Sequence, residues 1–210
     1  MTTTGSFWDG IAEEYAARPV DDVPSYEAKL KRLHALVGSD DRVLEVGCGT
    51  ASTALMMAPH VRAYVATDIS AAMARIASQK LDGEASNAQV LRLAAHENVP
   101  GAPFDAVFAF SLLHLVHDLD ETLSAIRRQL RPGGLFVSKT VCLGDRSVFL
   151  RAMVRTMTWV GKAPYVRALT RIEVQSAIAA AGFLIEEVSH FGDQASNPFI
   201  VARRPPQPAN

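Results

Sequence analysis

Val43-Leu44-Glu45-Val46-Gly47-Cys48-Gly49-Thr50 is the stretch on which the fold turns. Val43, Leu44 and Val46 form the short apolar run expected of a buried strand in a parallel sheet. Gly47 and Gly49 permit a tight turn and let a ligand approach bare backbone. The residues that follow read as a helix, with Thr50 or Ser52 as its cap and Pro59 as its end. Strand, glycine turn and helix are together half of a nucleotide-binding unit. On these eight residues alone, a glycine turn in an arbitrary α/β protein is the competing reading.

The side chains around the turn narrow the ligand. A dinucleotide fingerprint asks for a third glycine where this chain has Ser52. It also seats a pyrophosphate at the helix N-terminus, where the dipole favours negative charge. Glu45, two residues before the first glycine, would set a carboxylate near that phosphate and repel it. A carboxylate there suits a ligand that carries an ammonium group and no phosphate. An oxidoreductase with a nicotinamide cofactor is therefore the weaker enzyme reading.

Outward from the turn, the chain alternates strands and helices. Phe7 to Ala17 places Phe7, Trp8, Ile11, Ala12 and Tyr15 at helical spacing, with Ser6 as cap. A break at Arg18–Pro24 precedes a second helix, Ser25 to Val37, ended by Gly38. Ala63–Asp68 is the second strand, and its terminal Asp68 lies 21 positions beyond Gly47, the spacing of a residue that meets a ribose. A carboxylate can accept hydrogen bonds from two vicinal hydroxyls; capping the next helix is the alternative role. Ala88–Leu93 and Phe104–Phe110 are the third and fourth strands. Asp118 to Leu130 is a helix with Leu119, Leu123, Ile126 and Leu130 inward. Arg131-Pro132-Gly133-Gly134 turns into a fifth strand, Leu135–Thr140. Arg146 to Val160 mixes apolar residues with three arginines as an amphipathic helix or lid. Thr170 to Ala181 is a further helix, stopped by Gly182. Phe183–Phe191 and Pro198–Ala202 suit a closing antiparallel hairpin, and a proline-rich tail follows.

Composition fits one domain with a sizeable core: 210 residues, 49% hydrophobic and 20% charged. A formal net charge of -1 gives no electrostatic case for nucleic acid as a partner. The Met-Thr-Thr-Thr-Gly-Ser start lacks the features of a signal peptide, and no apolar run approaches bilayer length. Cys48 and Cys142 are too few for a disulfide framework or a cysteine zinc site. A cytoplasmic setting is the expectation, as monomer or homodimer.

Glu45-x-Gly47-x-Gly49, Asp68 at the end of the second strand, Phe104-Asp105-Ala106-Val107 with Leu113-His114 after it, and Leu130-Arg131-Pro132-Gly133-Gly134-x-Phe136 occur in one order. In that combination the sequence resembles the class I S-adenosylmethionine-dependent methyltransferases, over nearly the whole chain. The resemblance implies a seven-stranded, mostly parallel sheet with helices on both faces, a final antiparallel hairpin and an N-terminal helical lid. It implies a single domain over 1–204, with N-terminal helices at 6–37, a lid insertion at about 143–168 and a disordered tail at 205–210. The ligand is then S-adenosylmethionine, held by Glu45, Gly47, Cys48 and Gly49, with Asp68 on the ribose, Ile69 on the adenine and Tyr15 closing over the methionine end. The family often has an acid near the adenine amino group; that position falls on Ala95, so His96, Glu97 or a backbone carbonyl is the stand-in.

Ligands of open α/β sheets gather at the carboxyl ends of strands, which puts Ser111 and His114 at the reaction edge. His114 is the candidate general base because imidazole titrates near neutrality; a packed or hydrogen-bonded histidine is the competing reading. Lys139, near the end of the fifth strand, is a candidate for orienting an anionic substrate. His114, His117 and Asp118 would converge on one face if they lay on a helix, but the strand-end acidic cluster of metal-dependent members is missing and no metal is expected. His190 reads as structural. The expected reaction is methyl transfer to an O, N or S atom of a small molecule, with release of S-adenosylhomocysteine. The arginines of 146–160 make a phospholipid N-methyltransferase at the membrane surface the second reading. A non-catalytic methyltransferase-like subunit is the third.

Overall fold

The computed structural model describes residues 4–192 and 196–207. Seven strands form one sheet in the order β3-β2-β1-β4-β5-β7-β6. They are β1 (Arg42–Val46), β2 (Ala63–Asp68), β3 (Ala88–Arg92), β4 (Phe104–Phe110), β5 (Leu130–Lys139), β6 (Leu184–Ser189) and β7 (Phe199–Arg203). The first five pair in parallel, while β7 runs antiparallel to both β5 and β6. This is the α/β fold of the class I methyltransferases. β2 lies on one side of β1 and β4 on the other, so the order reverses at β1. A crevice at the carboxyl ends of β1 and β4 is where such a sheet takes a ligand.

Helices cover both faces because side chains alternate along each strand. On one face Val43, Phe108, Val137 and Val201 meet Leu30 and Leu33 of α2 (Val23–His34) and Met57 of α3 (Ser52–Met57). On the other, Leu44, Val107, Phe136 and Ile200 meet Leu123 and Ile126 of α5 (Leu119–Gln129) and Val174 and Ile178 of α7 (Arg171–Ala180). Each such fully buried side chain contributes roughly 1.5–3 kcal/mol. The inward set expected for α5, Leu119, Leu123, Ile126 and Leu130, is wholly buried. α1 (Thr4–Ala17) packs on α4 (Ala71–Leu81), and α6 (Val148–Trp159) follows β5 and precedes α7 along the chain. Among the described residues no helix is long and apolar enough to cross a membrane.

Several boundaries differ from the expected ones for local reasons. α2 starts at Val23, because Asp22 caps it by accepting from Ser25 N at 3.1 Å and Pro24 fits the first turn. Neither Thr50 nor Ser52 caps α3: the N-cap is Ala51, in the left-handed region at φ 60° and without a side-chain cap bond. Pro59 lies inside a 3₁₀ turn that continues α3. The Arg131–Gly134 turn is part of β5 as an irregularity between the pairs Phe104–Leu130 and Ala106–Leu135. Arg203 ends β7, and Arg204 is held by backbone bonds to Gly133 and Gly134. The expected tail runs on past the described residues at 208–210.

Candidate functional site

The glycine turn is held from below by Asp68. Gly47 and Gly49 have φ of 68° and 56°, which L side chains rarely adopt. A Cβ on Gly47 would fall 2.7 Å from Leu112 Cδ1, so that side chain would have to shift to admit one. Gly49 N donates to Asp68 Oδ2 at 2.9 Å, and Ser70 N donates to Asp68 Oδ1 at 2.9 Å. Cys48 N donates to Thr67 O at 2.9 Å, which closes the turn onto β2. Burial pushes the Asp68 carboxyl up, against the backbone donors that pull it down. Asp68 does not cap α4; Ser70 does, accepting from Met73 N at 3.1 Å. Ile69, next along the chain, leaves 41% of its surface exposed beside this carboxylate.

α1 closes over the turn. The Tyr15 ring is the nearest group to a Cβ built on Gly49, at 3.8 Å, and it packs edge-on against Trp8. Asp9 fastens the helix by accepting from Ser70 Oγ at 2.6 Å and Ala72 N at 3.0 Å, and those donors hold its carboxyl below the usual range. Asp9 was not legible in the sequence, since a lone acid on a helix reads as solvated.

Glu45 is buried on the α2 face of the sheet. Tyr64 Oη donates to Glu45 Oε2 at 2.8 Å, and burial pushes the carboxyl up to about 7 although Lys29 opposes this. Lys29 of α2 is itself buried, donates to Thr53 Oγ1 at 2.9 Å and lies over the rings of Tyr26 and Phe110. Burial lowers its ammonium to about 8. The acid is thus engaged from within the protein, by Tyr64 and by the field of Lys29. Lys29 was missed, although a signal existed: Tyr26, Lys29, Leu30 and Leu33 stand at i, i+3, i+4 and i+7, so the lysine lies in the apolar stripe.

The other edge is built by the segment after β4. Ser111, the residue after β4, has a φ of 51° and donates its N–H to Lys139 O at 2.7 Å. His114, His117 and Asp118 lie in a turn region, not on a helix, so they do not share a helical face. Asp118 caps α5 through Glu121 N at 2.8 Å, and His117 stacks on Tyr165 with ring centroids 4.2 Å apart. Among the described residues no three His, Cys, Asp or Glu side chains gather as a metal site. His114 is buried, its Nδ1 has no hydrogen-bond partner, and desolvation lowers its imidazole to about 4. Its burial is the feature expected of the packed histidine, the alternative to a general base. Lys139 is half-buried, and burial lowers its ammonium while Asp22 opposes the shift. His96 is exposed, and Glu97 turns one oxygen back to accept from Ala94 N at 2.6 Å, so one of the two side-chain candidates for the missing acid is engaged by its own loop. His190 is exposed beyond the end of β6, which does not suit a structural role.

Residues 44–136 match the family model described as a methyltransferase domain. The malonyl-[acyl-carrier protein] O-methyltransferase of Geobacter sulfurreducens is 30% identical over 152 residues, covering 70% of this chain and 57% of that protein. The chain therefore spans little more than half of that relative's length. A S-adenosylmethionine-dependent methyltransferase from Mesorhizobium loti superposes with a TM-score of 0.69 at 20% identity, covering 86% of this chain and 98% of that one. A geranyl diphosphate C-methyltransferase from Streptomyces coelicolor, solved with Mg2+, geranyl diphosphate and S-adenosyl-L-homocysteine, gives 0.69 at 16% identity, covering 85% and 77%. In this fold, this ordered set of motifs and the match over residues 44–136, the chain is similar to the class I S-adenosylmethionine-dependent methyltransferases.

Proposed function

We propose that residues 1–204 act as one domain that transfers the methyl group of S-adenosylmethionine to an O, N or S atom of a small anionic molecule, releasing S-adenosylhomocysteine. The observation that carries the reading is Asp68, whose two oxygens hold Gly49 and Ser70 while Ile69 lies exposed next to it. A carboxylate has about four lone-pair sites, so two remain to accept from the ribose hydroxyls. Ile69 then packs on the adenine, and Gly47, Cys48 and Gly49 present bare backbone to the amino acid portion. Glu45 acts on the ammonium from beneath, as a buried charge shared with Lys29.

The bound cofactor supplies a methyl activated by its sulfonium. The chain's own work is then alignment and exclusion of water. Tyr15 and Trp8 shield the glycine turn from solvent. Ser111 fixes the strand end through its bond to Lys139 O, and Lys139 orients the acceptor by its charge. The named substrates of the Geobacter relative and the Streptomyces neighbour, malonyl-[acyl-carrier protein] and geranyl diphosphate, both carry anionic groups. His114 stays neutral and serves as packing, so an acceptor that must lose a proton loses it to solvent or to another base.

Calorimetric titration with S-adenosylhomocysteine, with NADH in parallel, tests the cofactor assignment. Saturable binding of the first alone is expected. Binding of NADH, or of neither, would overturn it. With the acceptor in hand, Lys139→Met raises KM more than it lowers kcat.

A further inference from the structure

α6 carries an apolar face that none of the described residues covers. None of its residues is buried, and Val148, Phe149 and Trp159 are 70%, 80% and 87% exposed. Phe149, Met153, Met157 and Val160 follow one another at i, i+4, i+8 and i+11, all exposed, with Val148, Ala152 and Trp159 alongside. Leu150, Val154 and Thr158, the half-buried line, lie on the opposite side of the helix. Thr158 Oγ1 donates to Pro164 O at 2.9 Å, which ties that inner side to the segment after α6. The apolar face therefore points away from the protein, in a chain whose other helices bury theirs.

The charges carried by this stretch of the chain, 146–172, are of one sign. Arg151 and Arg155 lie on α6, Arg146 precedes it, and Lys162 and Arg167 follow. No Asp or Glu occurs between Asp145 and Glu173, so this stretch is strongly positive in a chain with a net charge of -1. A helix with Trp and Phe on one side and arginines at its flanks is suited to lie in the plane of a lipid interface. The arginine stems can follow the apolar surface while the guanidinium groups reach phosphate oxygens. A protein partner would have to offer an acidic rim around an apolar groove; a bilayer with anionic headgroups offers both chemistries along any line.

We infer that α6 docks the protein on an anionic lipid surface, with Phe149, Met153, Met157 and Trp159 at the acyl boundary and Arg151 and Arg155 on the headgroup phosphates. The methyl acceptor need not be a lipid, and the docking does not depend on which atom is methylated. Because α6 follows the carboxyl end of β5, docking holds the ligand edge near the membrane, where apolar anionic molecules collect.

The test is cosedimentation of the full chain with vesicles of phosphatidylglycerol and phosphatidylcholine, against phosphatidylcholine alone, with tryptophan fluorescence as second readout. Binding to the anionic vesicles, weakened by salt, is expected, with a blue shift that Trp159→Phe removes. Arg151→Gln and Arg155→Gln each weaken it about fivefold, and Phe149→Ser with Trp159→Ser abolishes it, while S-adenosylhomocysteine binding stays unchanged in all of them. Absence of vesicle binding overturns the proposal, as does equal binding to neutral vesicles. A dimer in light scattering that Phe149→Ser dissolves would assign the face to a second copy instead.

Discussion

α5 and α6 are nearly the same length, 11 and 12 residues, and both are amphipathic, yet α5 buries six side chains and α6 none. The difference lies in what each helix returns to. α5 joins β4 to β5, two strands paired in parallel, so it must cross back over the sheet and its apolar stripe lands on Leu44, Val107 and Phe136. α6 leaves β5 and is followed by α7, so no parallel crossover obliges it to lie on the sheet. Periodicity settles that a helix forms and where its apolar face is. Topology settles what the face meets.

The widest gap between the two helices should appear in stability. Leu123→Ala, at a wholly buried position of α5, is expected to cost about 2–5 kcal/mol, transfer and cavity effects together. Urea unfolding measures it. A cost under about 1 kcal/mol would mean that α5 is held as loosely as α6.

A second expected effect comes from His114, in the turn that precedes α5. Its imidazole is depressed from 6.5 to about 4 by burial, so the unfolded chain binds the proton first. The stability that neutral His114 permits is present above pH 6.5 and is lost as the pH falls toward 4, to a total of about 3 kcal/mol. Glu45 runs the other way: its carboxyl is raised to about 7, so its contribution is present below 4.5 and lost as the pH rises through 7. Comparing the native chain with His114→Asn cancels the Glu45 effect. The variant should lack the loss between pH 6.5 and 4; an unchanged slope would show that His114 is solvated.

At the cofactor turn the expected changes are in affinity. Asp68→Ala removes the acceptor for Gly49 N and Ser70 N as well as the proposed ribose contact. Charge-assisted hydrogen bonds contribute about 1.5–3 kcal/mol each, so S-adenosylhomocysteine affinity should fall by about a hundredfold or more in calorimetry. Unchanged affinity would remove Asp68 from the site.

The same contrast explains what the sequence could and could not tell. β2 falls on Ala63–Asp68 as read, because an apolar run ending in an acid has few other uses in a parallel sheet. The order of motifs led to the seven-stranded sheet. The sequence was less informative wherever a side chain's role depended on a distant neighbour. Lys29 stands in the apolar stripe of its helix, but its partner Glu45 lies on a distant strand, so the pairing shows only once the sheet is formed. Asp9 becomes a fastener only once α4 lies across α1. The strand-end position of His114 was legible in the sequence, and its burial was not. Ala51 took the cap from Thr50 and Ser52 because the glycine turn delivers the chain in the left-handed region, a geometry no propensity of alanine would suggest.

The smallest expected effect belongs to α6 and completes the contrast with α5. Phe149→Ala deletes a larger side chain than Leu123→Ala does, but from a position 80% exposed. No cavity is left and little apolar area returns to water, so urea unfolding should shift by no more than about 0.5 kcal/mol. Solubility should rise, because the exposed apolar face shrinks. A loss of several kcal/mol would instead mean that Phe149 is covered in solution, by a second copy or by α6 folding onto the ligand edge. The aggregation state of the variant separates those two cases, since only the first changes the mass in light scattering.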